Sequence, residues 1–189
     1  HTGLELANNY SAILYGNAIN TSLGALSFDL IHSNWDSDEL GSMNGTKVKT
    51  NVSKNLLSGT RLFFSFEKVI DEGYISLRDS LLRSEFDKYN YRESERYSAS
   101  FIQNIFDGSI SLSGVKSKTY NNKTDITYQV GYSGMLGQLG YYIYTEQSKD
   151  INDDNDKIIG VSFSLPLGNG NNLYTRFNHS KEYGEQFQS

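Results

Sequence analysis

The feature that most constrains the fold is an alternation of apolar and polar side chains with a period of two. It is clear in Leu26–Leu30 (LSFDL), in Arg61–Glu67 (RLFFSFE) and in Asp125–Tyr132 (DITYQVGY). Successive side chains of a β-strand point to opposite faces of a sheet, so each segment predicts a strand with one apolar and one polar face. The alternation alone does not say which face meets the core, because soluble antiparallel sheets have the same pattern.

This pattern, with the turn residues between its segments, predicts a meander of ten strands. The fourth strand is unusually long, and Asp71–Gly73 predicts a bulge or bend within it. Asp79–Glu93 has a weak helical pattern, and we expect it to be an extracellular loop. The predicted strands are Asn9–Ile19, Leu26–Asn34, Thr46–Lys54, Arg61–Leu77, Arg96–Phe106, Ser109–Lys118, Asp125–Ser133, Leu139–Ser148, Lys157–Leu165 and Leu173–Ser180.

The connections between the predicted strands differ at their two ends. Every second connection is short and contains glycine, as at Leu23-Gly24 and Ser58-Gly59. The intervening connections are longer and polar, as in Asp36–Asn44, Lys118–Lys123 and Lys149–Asp156. Short turns at one rim and long loops at the other are typical of outer-membrane barrels, whereas Greek-key sandwiches have less reason to alternate so regularly. We therefore predict an all-β fold, an antiparallel meander forming part of a transmembrane β-barrel.

Composition agrees with a sheet protein and argues against several other classes. The chain has 14 Tyr and 10 Phe but one Pro, which favours strands. Its net charge is −5 without any Lys/Arg cluster, which argues against nucleic-acid binding. No run approaches about 20 apolar residues, so no membrane helix is predicted, and a mean hydropathy of −0.52 still permits a barrel. Aromatic girdles are predicted near the strand ends, from Tyr10, Trp35, Tyr74, Tyr97, Tyr120, Tyr132, Tyr144 and Tyr174.

Neither the histidines nor the acidic loop has the spacing of a metal or catalytic site. His1, His32 and His179 are far apart, whereas zinc needs three or four converging ligands. The loop Asp150–Asp156 offers oxygen ligands for calcium, but Asn155 and Val161 stand where an EF-hand needs Gly and Glu. The sequence has no cysteine and no G-x-S-x-G motif. We expect no catalytic residue, no cofactor and no bound metal.

Several short runs resemble the outer membrane ushers of the chaperone–usher pathway, which builds pili. Their order and spacing carry the resemblance more than any single motif, and it covers roughly Tyr10 to Ser180. The runs are Tyr10–Gly16 (YSAILYG), Leu23–Asp29 (LGALSFD), Ser58–Phe66 (SGTRLFFSF), Asp71–Leu77 (DEGYISL) and Ser162–Leu167 (SFSLPL).

The resemblance implies a large β-barrel in the outer membrane of a Gram-negative bacterium. Such a barrel would pass fimbrial subunits, delivered by periplasmic chaperones, to the cell surface, so chaperone–subunit complexes and lipid are the expected partners. A gating plug and periplasmic domains at both ends belong to the family, and no segment of this chain matches them. We therefore expect residues 1–189 to be an incomplete, mid-barrel segment, since ten strands are too few for the family's pore.

The resemblance also implies a role for each face of the predicted strands. We expect the apolar side chains to face lipid and the polar ones to face a water-filled lumen. The predicted pore-facing residues are Asp29, Lys47, Lys49, Arg61, Glu67, Thr127, Gln129, Glu146 and Arg176. Two alternatives stay open. A soluble all-β binding or adhesin module would bury the same apolar faces between two sheets, and a small outer-membrane enzyme would close a barrel of ten strands around an acid/base set.

Overall fold

The computed structural model describes residues 1–22, 24–37, 41–56, 59–82, 93–150, 152, 154–168, 171–180 and 184–188. Within this part of the chain there are twelve strands and one short helix. The strands are β1 Thr2–Ala7, β2 Tyr10–Thr21, β3 Gly24–Ser37, β4 Gly41–Asn55, β5 Thr60–Val69, β6 Glu93–Ile105, β7 Gly108–Thr119, β8 Thr124–Leu136, β9 Leu139–Lys149, β10 Asn155–Gly168, β11 Asn171–Ser180 and β12 Gly184–Gln188, with helix α1 at Leu77–Leu82 between β5 and β6.

The strands form one sheet in which spatial order follows chain order from β1 to β12. The pairs β1–β2, β2–β3, β3–β4 and those from β8 to β12 are antiparallel, as hairpin connections require. The predicted all-β antiparallel meander is therefore confirmed. Ten strands were expected and twelve are found, because β1 and β12 flank the predicted set. Within the described residues, no helix is both long and apolar enough to cross a membrane.

The strands extend further into their connections than the sequence pattern indicates. β3 continues to Ser37 and β4 begins at Gly41, so most of the predicted loop Asp36–Asn44 belongs to strands. The predicted loops Lys118–Lys123 and Lys149–Asp156 shorten in the same way. The ends of these strands carry polar side chains but still pair with their neighbours, because backbone hydrogen bonding does not depend on side-chain polarity. Residues 38–40, 57–58 and 83–92, which carry parts of the predicted turns and loops, lie outside the described residues.

The prediction of one long strand from Arg61 to Leu77 is wrong. β5 ends at Val69, and the chain turns where the Tyr74 amide donates to the Asp71 carbonyl at 2.9 Å. Ser76 then caps α1: its Oγ accepts from the Asp79 amide at 3.2 Å and donates to the Asp79 carboxylate at 2.7 Å. Ser-x-x-Asp is the spacing of a capping box, so a local helix signal overrides the alternation here.

A small apolar cluster forms where this segment meets β2 and β3. Its buried members are Tyr10, Ala12, Trp35 and Ile75, with Ile75 only 1% exposed. Tyr10 and Trp35 were predicted to join an aromatic girdle, but they are directly paired in register and lie under Ile75 instead. Tyr144 is also buried, at 4% exposure, so the girdle prediction is wrong for these three residues.

Contacts divide the chain into two compact units. Unit 1 comprises His1–Lys54, Phe64–Tyr97 and Ser117–Lys123, and unit 2 comprises Asn55–Phe63, Ser98–Lys116 and Thr124–Ser189. Unit 1 therefore contains β1–β4 and α1, and unit 2 contains β8–β12. Each unit carries part of the predicted pore-facing set.

Candidate functional site

The strand register sorts the side chains of unit 1 onto two faces. Asp29 pairs with Lys49 and Ile31 with Lys47, which puts both lysines and the aspartate on one face of the sheet. Leu30 pairs with Val48 on the other face. We call these the polar face and the apolar face. β5 belongs to unit 2 up to Phe63 and to unit 1 from Phe64. Along it, Arg61 and Glu67 alternate with the exposed Leu62 and Phe64, so they share one side of the strand.

The same division holds in unit 2. Thr127 pairs with Ser148 and Gln129 with Glu146 on the polar face. Arg176 pairs with Ser162 and joins that face through β9 and β10. Val130, paired with Thr145, lies on the apolar face. In each strand the predicted pore-facing side chains thus lie opposite the predicted lipid-facing ones.

Burial is reversed relative to a water-soluble sheet. On the apolar face Phe28 is 46% exposed, Phe64 45% and Ile159 53%. On the polar face Ser33 is 1% exposed and Ser162 8%. Large apolar patches exposed on a folded protein mark contacts with a partner or a membrane. The apolar face is therefore a surface that requires apolar surroundings.

Lysines on the polar face of unit 1 converge on one carboxylate. Lys47 Nζ contacts Glu67 Oε2, and Lys49 Nζ lies 3.3 Å from Glu67 Oε1. The charges are only partly exposed, with 17% of the Glu67 side chain and 21% of the Lys47 side chain open to solvent. Asp29 forms a separate pair with His1, whose Nε2 lies 3.1 Å from Asp29 Oδ1. Opposite charges of this face therefore pair with one another.

The segment after β5 lies against this face of unit 1. The Ile70 amide donates to the Thr46 carbonyl at 2.8 Å, and the Ile75 amide donates to Ser33 Oγ at 3.1 Å. The approach is close at Gly45, where a Cβ would lie 2.0 Å from the Tyr74 amide nitrogen. A glycine is thus required where the segment crosses β4. Burial of the Tyr74 side chain also raises the pKa of its hydroxyl well above the ordinary value.

On the polar face of unit 2, hydrogen bonds join one amide side chain, one carboxylate and one tyrosine hydroxyl. Gln129 Nε2 donates to Glu146 Oε2 at 3.2 Å, and the Tyr142 hydroxyl donates to Gln129 Oε1 at 3.4 Å. The structure thus brings together Gln129 and Glu146, both selected from the sequence, and adds Tyr142. Thr127 is half-buried on the same face.

Arg176 contacts Tyr144, which was predicted as a girdle residue, and Asn178, which the sequence did not single out. Its guanidinium lies over the Tyr144 ring, 5.1 Å from the centroid, and its Nε donates to the Tyr144 hydroxyl at 3.1 Å. That hydroxyl donates in turn to Asn178 Oδ1 at 2.7 Å. The Tyr142 and Tyr144 rings stack at 5.3 Å with an interplanar angle of 13°. A charge-assisted network therefore covers this face.

Glycines beneath the rings are the signal that could have identified these tyrosines. Gly131 and Gly160 are both register partners of Tyr144. A Cβ on Gly131 would lie 2.3 Å from the Tyr142 hydroxyl, and one on Gly160 would lie 2.3 Å from Tyr144 Cε1. An aromatic ring that lies flat over a strand glycine restores packing that the glycine lacks. Glycine opposite tyrosine on one face therefore indicates a ring lying along the sheet.

No group of three or more His, Cys, Asp or Glu side chains that could hold a metal ion occurs in the described part of the chain. His32 Nδ1 lies 3.1 Å from Thr46 Oγ1 at the polar end of β3. The polar faces consist of ion pairs, hydrogen-bonded amides and tyrosines. Within the described residues these side chains contact one another along the strands.

The model of the outer membrane usher protein family matches residues 1–189, the whole chain. The chain belongs to this family. Its membership confirms the resemblance seen in the sequence and places the chain in the outer membrane. The two faces of the strands are those expected of a membrane β-barrel wall, polar inward and apolar outward.

Curated ushers align along most of the chain. It is 28% identical to the usher MrkC of Klebsiella pneumoniae over 202 residues, which cover 96% of this chain and 24% of MrkC. It is 29% identical to the usher YraJ of Escherichia coli K12, covering 77% of this chain and 18% of YraJ. The chain therefore spans about a quarter or less of the length of these relatives.

Solved structures agree on the fold. A structure of the P pilus usher (PapC) translocation pore matches with a TM-score of 0.66 and 19% identity, over 95% of this chain and 38% of that chain. A chain in a cryo-EM structure of the E. coli P pilus tip assembly intermediate PapC–PapD–PapK–PapG matches with a TM-score of 0.70 and 19% identity, over 96% of this chain and 23% of that chain. These similarities support the antiparallel barrel-wall fold.

Proposed function

We propose that this chain is a continuous segment of the wall of an usher pore, and that its polar face lines the lumen through which pilus subunits pass. One observation carries the proposal. In this member of the usher family, one face of the strands carries polar side chains whose charges are paired, and the opposite face carries apolar side chains that are exposed in most strands. The nine pore-facing candidates, Asp29 to Arg176, all belong to the polar side of their strands.

The chemistry of the polar face suits transit rather than tight binding. Glu67 already holds Lys47 and Lys49, and Arg176 already contacts Tyr144. A charge that is paired within the wall gains less from a passing charge than an isolated one would. A folded subunit would therefore meet a hydrated wall of mixed sign along which it can slide, with no strong site to stall it.

The partners follow from the pathway in which ushers act. The relative PapC is described in an assembly intermediate with PapD, PapK and PapG. By analogy, the usher that carries this chain would receive fimbrial subunits from a periplasmic chaperone and pass them outward. No enzymatic step is part of this proposal.

The alternatives from sequence make different predictions for the apolar face. A soluble adhesin module requires Phe28, Phe64 and Ile159 to be buried against a second sheet, yet they are about half exposed. A small barrel enzyme requires an acid/base set at the loop rim. The carboxylates on the polar faces are instead bound within the strands, Glu67 by lysines and Glu146 by Gln129.

Adjacent cysteines in β8 test the proposal in the intact usher that carries this segment. The chain has no cysteine of its own. Gln129→Cys should react with a bulky, water-soluble maleimide, and the modification should reduce pilus assembly because the adduct occupies the lumen. Val130→Cys is the matched control: it points to lipid, so it should react slowly and assembly should be unchanged. Equal labelling at both positions, or labelling of Gln129→Cys without loss of assembly, would contradict the proposed role.

A further inference from the structure

A concave site lies at the edge of unit 2 where the short connections are. Its volume is about 460 Å³, and the turn Gly137-Gln138 between β8 and β9 forms part of its border. One row of register partners crosses β8, β9, β10 and β11 at its centre: Met135, Gly140, Ser164 and Tyr174. Pro166 and Asn172, which pair with each other, line it one row nearer the rim. We call this site the rim notch.

The rim notch belongs to the polar face. Tyr142 of β9 pairs with Ser162, and Ser162 pairs with Arg176. The row that contains Gly140 and Tyr174 is the next one on the same face, because side chains two residues apart in a strand share a face. The rim notch is therefore continuous with the hydrogen-bonded surface of Arg176, one row closer to the rim.

Small residues between large ones create the depression. Gly140 has no side chain, and a Cβ there would lie 2.6 Å from Ser164 Oγ. The neighbouring strand is irregular at this point, since the register of β10 against β11 shifts between Pro166 and Gly168. Such bulges bend a strand and redirect its side chains. The sheet surface is therefore lower at Gly140 and Ser164 than at the side chains on either side.

The walls of the rim notch are apolar, although it lies on the polar face. Met135 is 59% exposed and Tyr174 is 46% exposed. Pro166, the one proline of the chain, is exposed beside them. Methionine adapts its flexible thioether to differently shaped partners, and aromatic rings contribute large contact areas. These side chains offer a contact for an apolar group rather than for a charge.

The polar groups of the rim notch differ from those of the neighbouring surface. Deeper on this face the Gln129 amide donates to Glu146. By contrast, the side chains of Gln138, Ser164 and Asn172 make no hydrogen bond to any residue that the structure describes. Amide and hydroxyl groups can donate to a carbonyl and accept from an amide. Apolar walls with a few convergent polar groups are the chemistry of a site for a peptide segment.

We propose that the rim notch receives an apolar side chain, with its flanking backbone, from an exposed segment of an incoming pilus subunit. Short connections face the periplasm in outer-membrane barrels, so the rim notch lies at the lumen entrance. The inference rests on the proposed function, because it needs the polar face to line the route of the subunits. A shallow site for one side chain holds its partner briefly, which agrees with transit through the pore.

The test places the photocrosslinking residue p-benzoylphenylalanine at position 138 of the intact usher, in cells that assemble pili. We expect adducts with a pilus subunit, identified by mass spectrometry. The double variant Met135→Ser, Tyr174→Ser should lower their yield about fivefold, because it removes two apolar walls. Tyr128→Ser is the matched control and should leave the yield unchanged, since Tyr128 is 59% exposed in the same β8 but lies on the apolar face.

A filling variant keeps the test independent of those two truncations. Asn172→Trp introduces a large ring at an exposed position on the border of the rim notch, and it should lower the adduct yield as well. Heat-dependent gel mobility identifies the folded barrel in each variant. Unchanged yields in folded Asn172→Trp and in the folded double variant would overturn the inference.

A second crosslinker position separates this inference from the proposed function. Position 129 lies deeper on the polar face of β8. Subunit adducts at 129, with yields at 138 that ignore the rim-notch variants, would overturn the rim notch and leave the lumen role intact. Adducts at 138 only with another part of the usher would also overturn it. The absence of subunit adducts at both positions would instead contradict the proposed function.

Discussion

In unit 1 the polar face is partly covered by a segment that leaves the sheet, whereas in unit 2 it is covered by side chains of its own strands. The first cover is apolar and depends on Ile75, and the second is polar and aromatic and depends on Tyr144 and Arg176. Both faces have the same alternation in sequence. The comparison teaches that alternation assigns a residue to a face but leaves open how that face is filled.

The largest expected effect comes from truncating Ile75, the buried side chain through which the segment after β5 covers the polar face of unit 1. Ile75→Ala removes a side chain that is 1% exposed, so we expect the free energy of unfolding to fall by about 3 kcal/mol. Urea denaturation in detergent measures it. Leu81→Ala, at a residue 64% exposed on α1, is the control and should change stability little. If the two variants lose the same stability, the segment does not hold unit 1 as described.

A glycine substitution tests how closely the segment crosses β4. In Gly45→Ala the new Cβ would meet the Tyr74 backbone at 2.0 Å, so we expect a loss of about 1 to 3 kcal/mol in the free energy of unfolding. In Gly3→Ala the nearest atom is the Leu14 Cβ at 3.6 Å, an ordinary contact. A neutral Gly45→Ala variant, measured by the same urea titration, would mean that the segment stands away from the strand.

A double-mutant cycle tests whether the contact between Tyr144 and Arg176 stabilises unit 2. Tyr144→Phe removes the hydroxyl that accepts from Arg176 Nε at 3.1 Å, and Arg176→Ala removes the guanidinium. We expect a coupling free energy of about 1 kcal/mol between the two substitutions, because they act on one hydrogen-bonded contact. Additive effects would show that Tyr144 and Arg176 contribute independently, and that the network does not fill this face.

The smallest expected effect concerns pH and belongs to unit 1 alone. Burial raises the pKa of Tyr74 in the folded state, so folding favours its neutral form. The stabilisation is complete below the unfolded-state pKa of about 10 and is lost as the pH rises above it. Between pH 10 and 11 stability should fall by about 1 kcal/mol more in the wild type than in Tyr74→Phe. Parallel pH profiles for the two proteins would show that Tyr74 is not held in a buried site.

The sequence predicted the sheet and its two faces because period-two alternation is a local property of each strand. Leu26–Leu30 and Asp125–Tyr132 lie in β3 and β8 as expected, with the expected side chains on each face. The end of β5 was missed because Asp71–Gly73 is compatible with a bulge inside one strand as well as with a turn that ends it, although the Ser76–Asp79 cap was present as a helix signal.

The packing of the polar faces was less predictable, because it depends on contacts distant in sequence. Tyr10 and Trp35 look like girdle residues in isolation, and Ile75 reaches them only through the turn that follows β5. Tyr144 and Asn178 are 34 residues apart and meet only through the β9–β10–β11 register. Glycine opposite tyrosine was the available sign, and it becomes readable only once the register is known.

The most direct test of the central claim, that the polar face meets water and the apolar face lipid, uses single spin labels at Phe64 and Glu67 in the membrane-reconstituted usher. Both lie in β5, where Phe64 is 45% exposed on the apolar side and Glu67 is half-buried on the polar side. The account predicts that oxygen dissolved in lipid relaxes the label at 64, and that a water-soluble nickel chelate relaxes the label at 67. Equal accessibility of the two labels to both relaxants would contradict it.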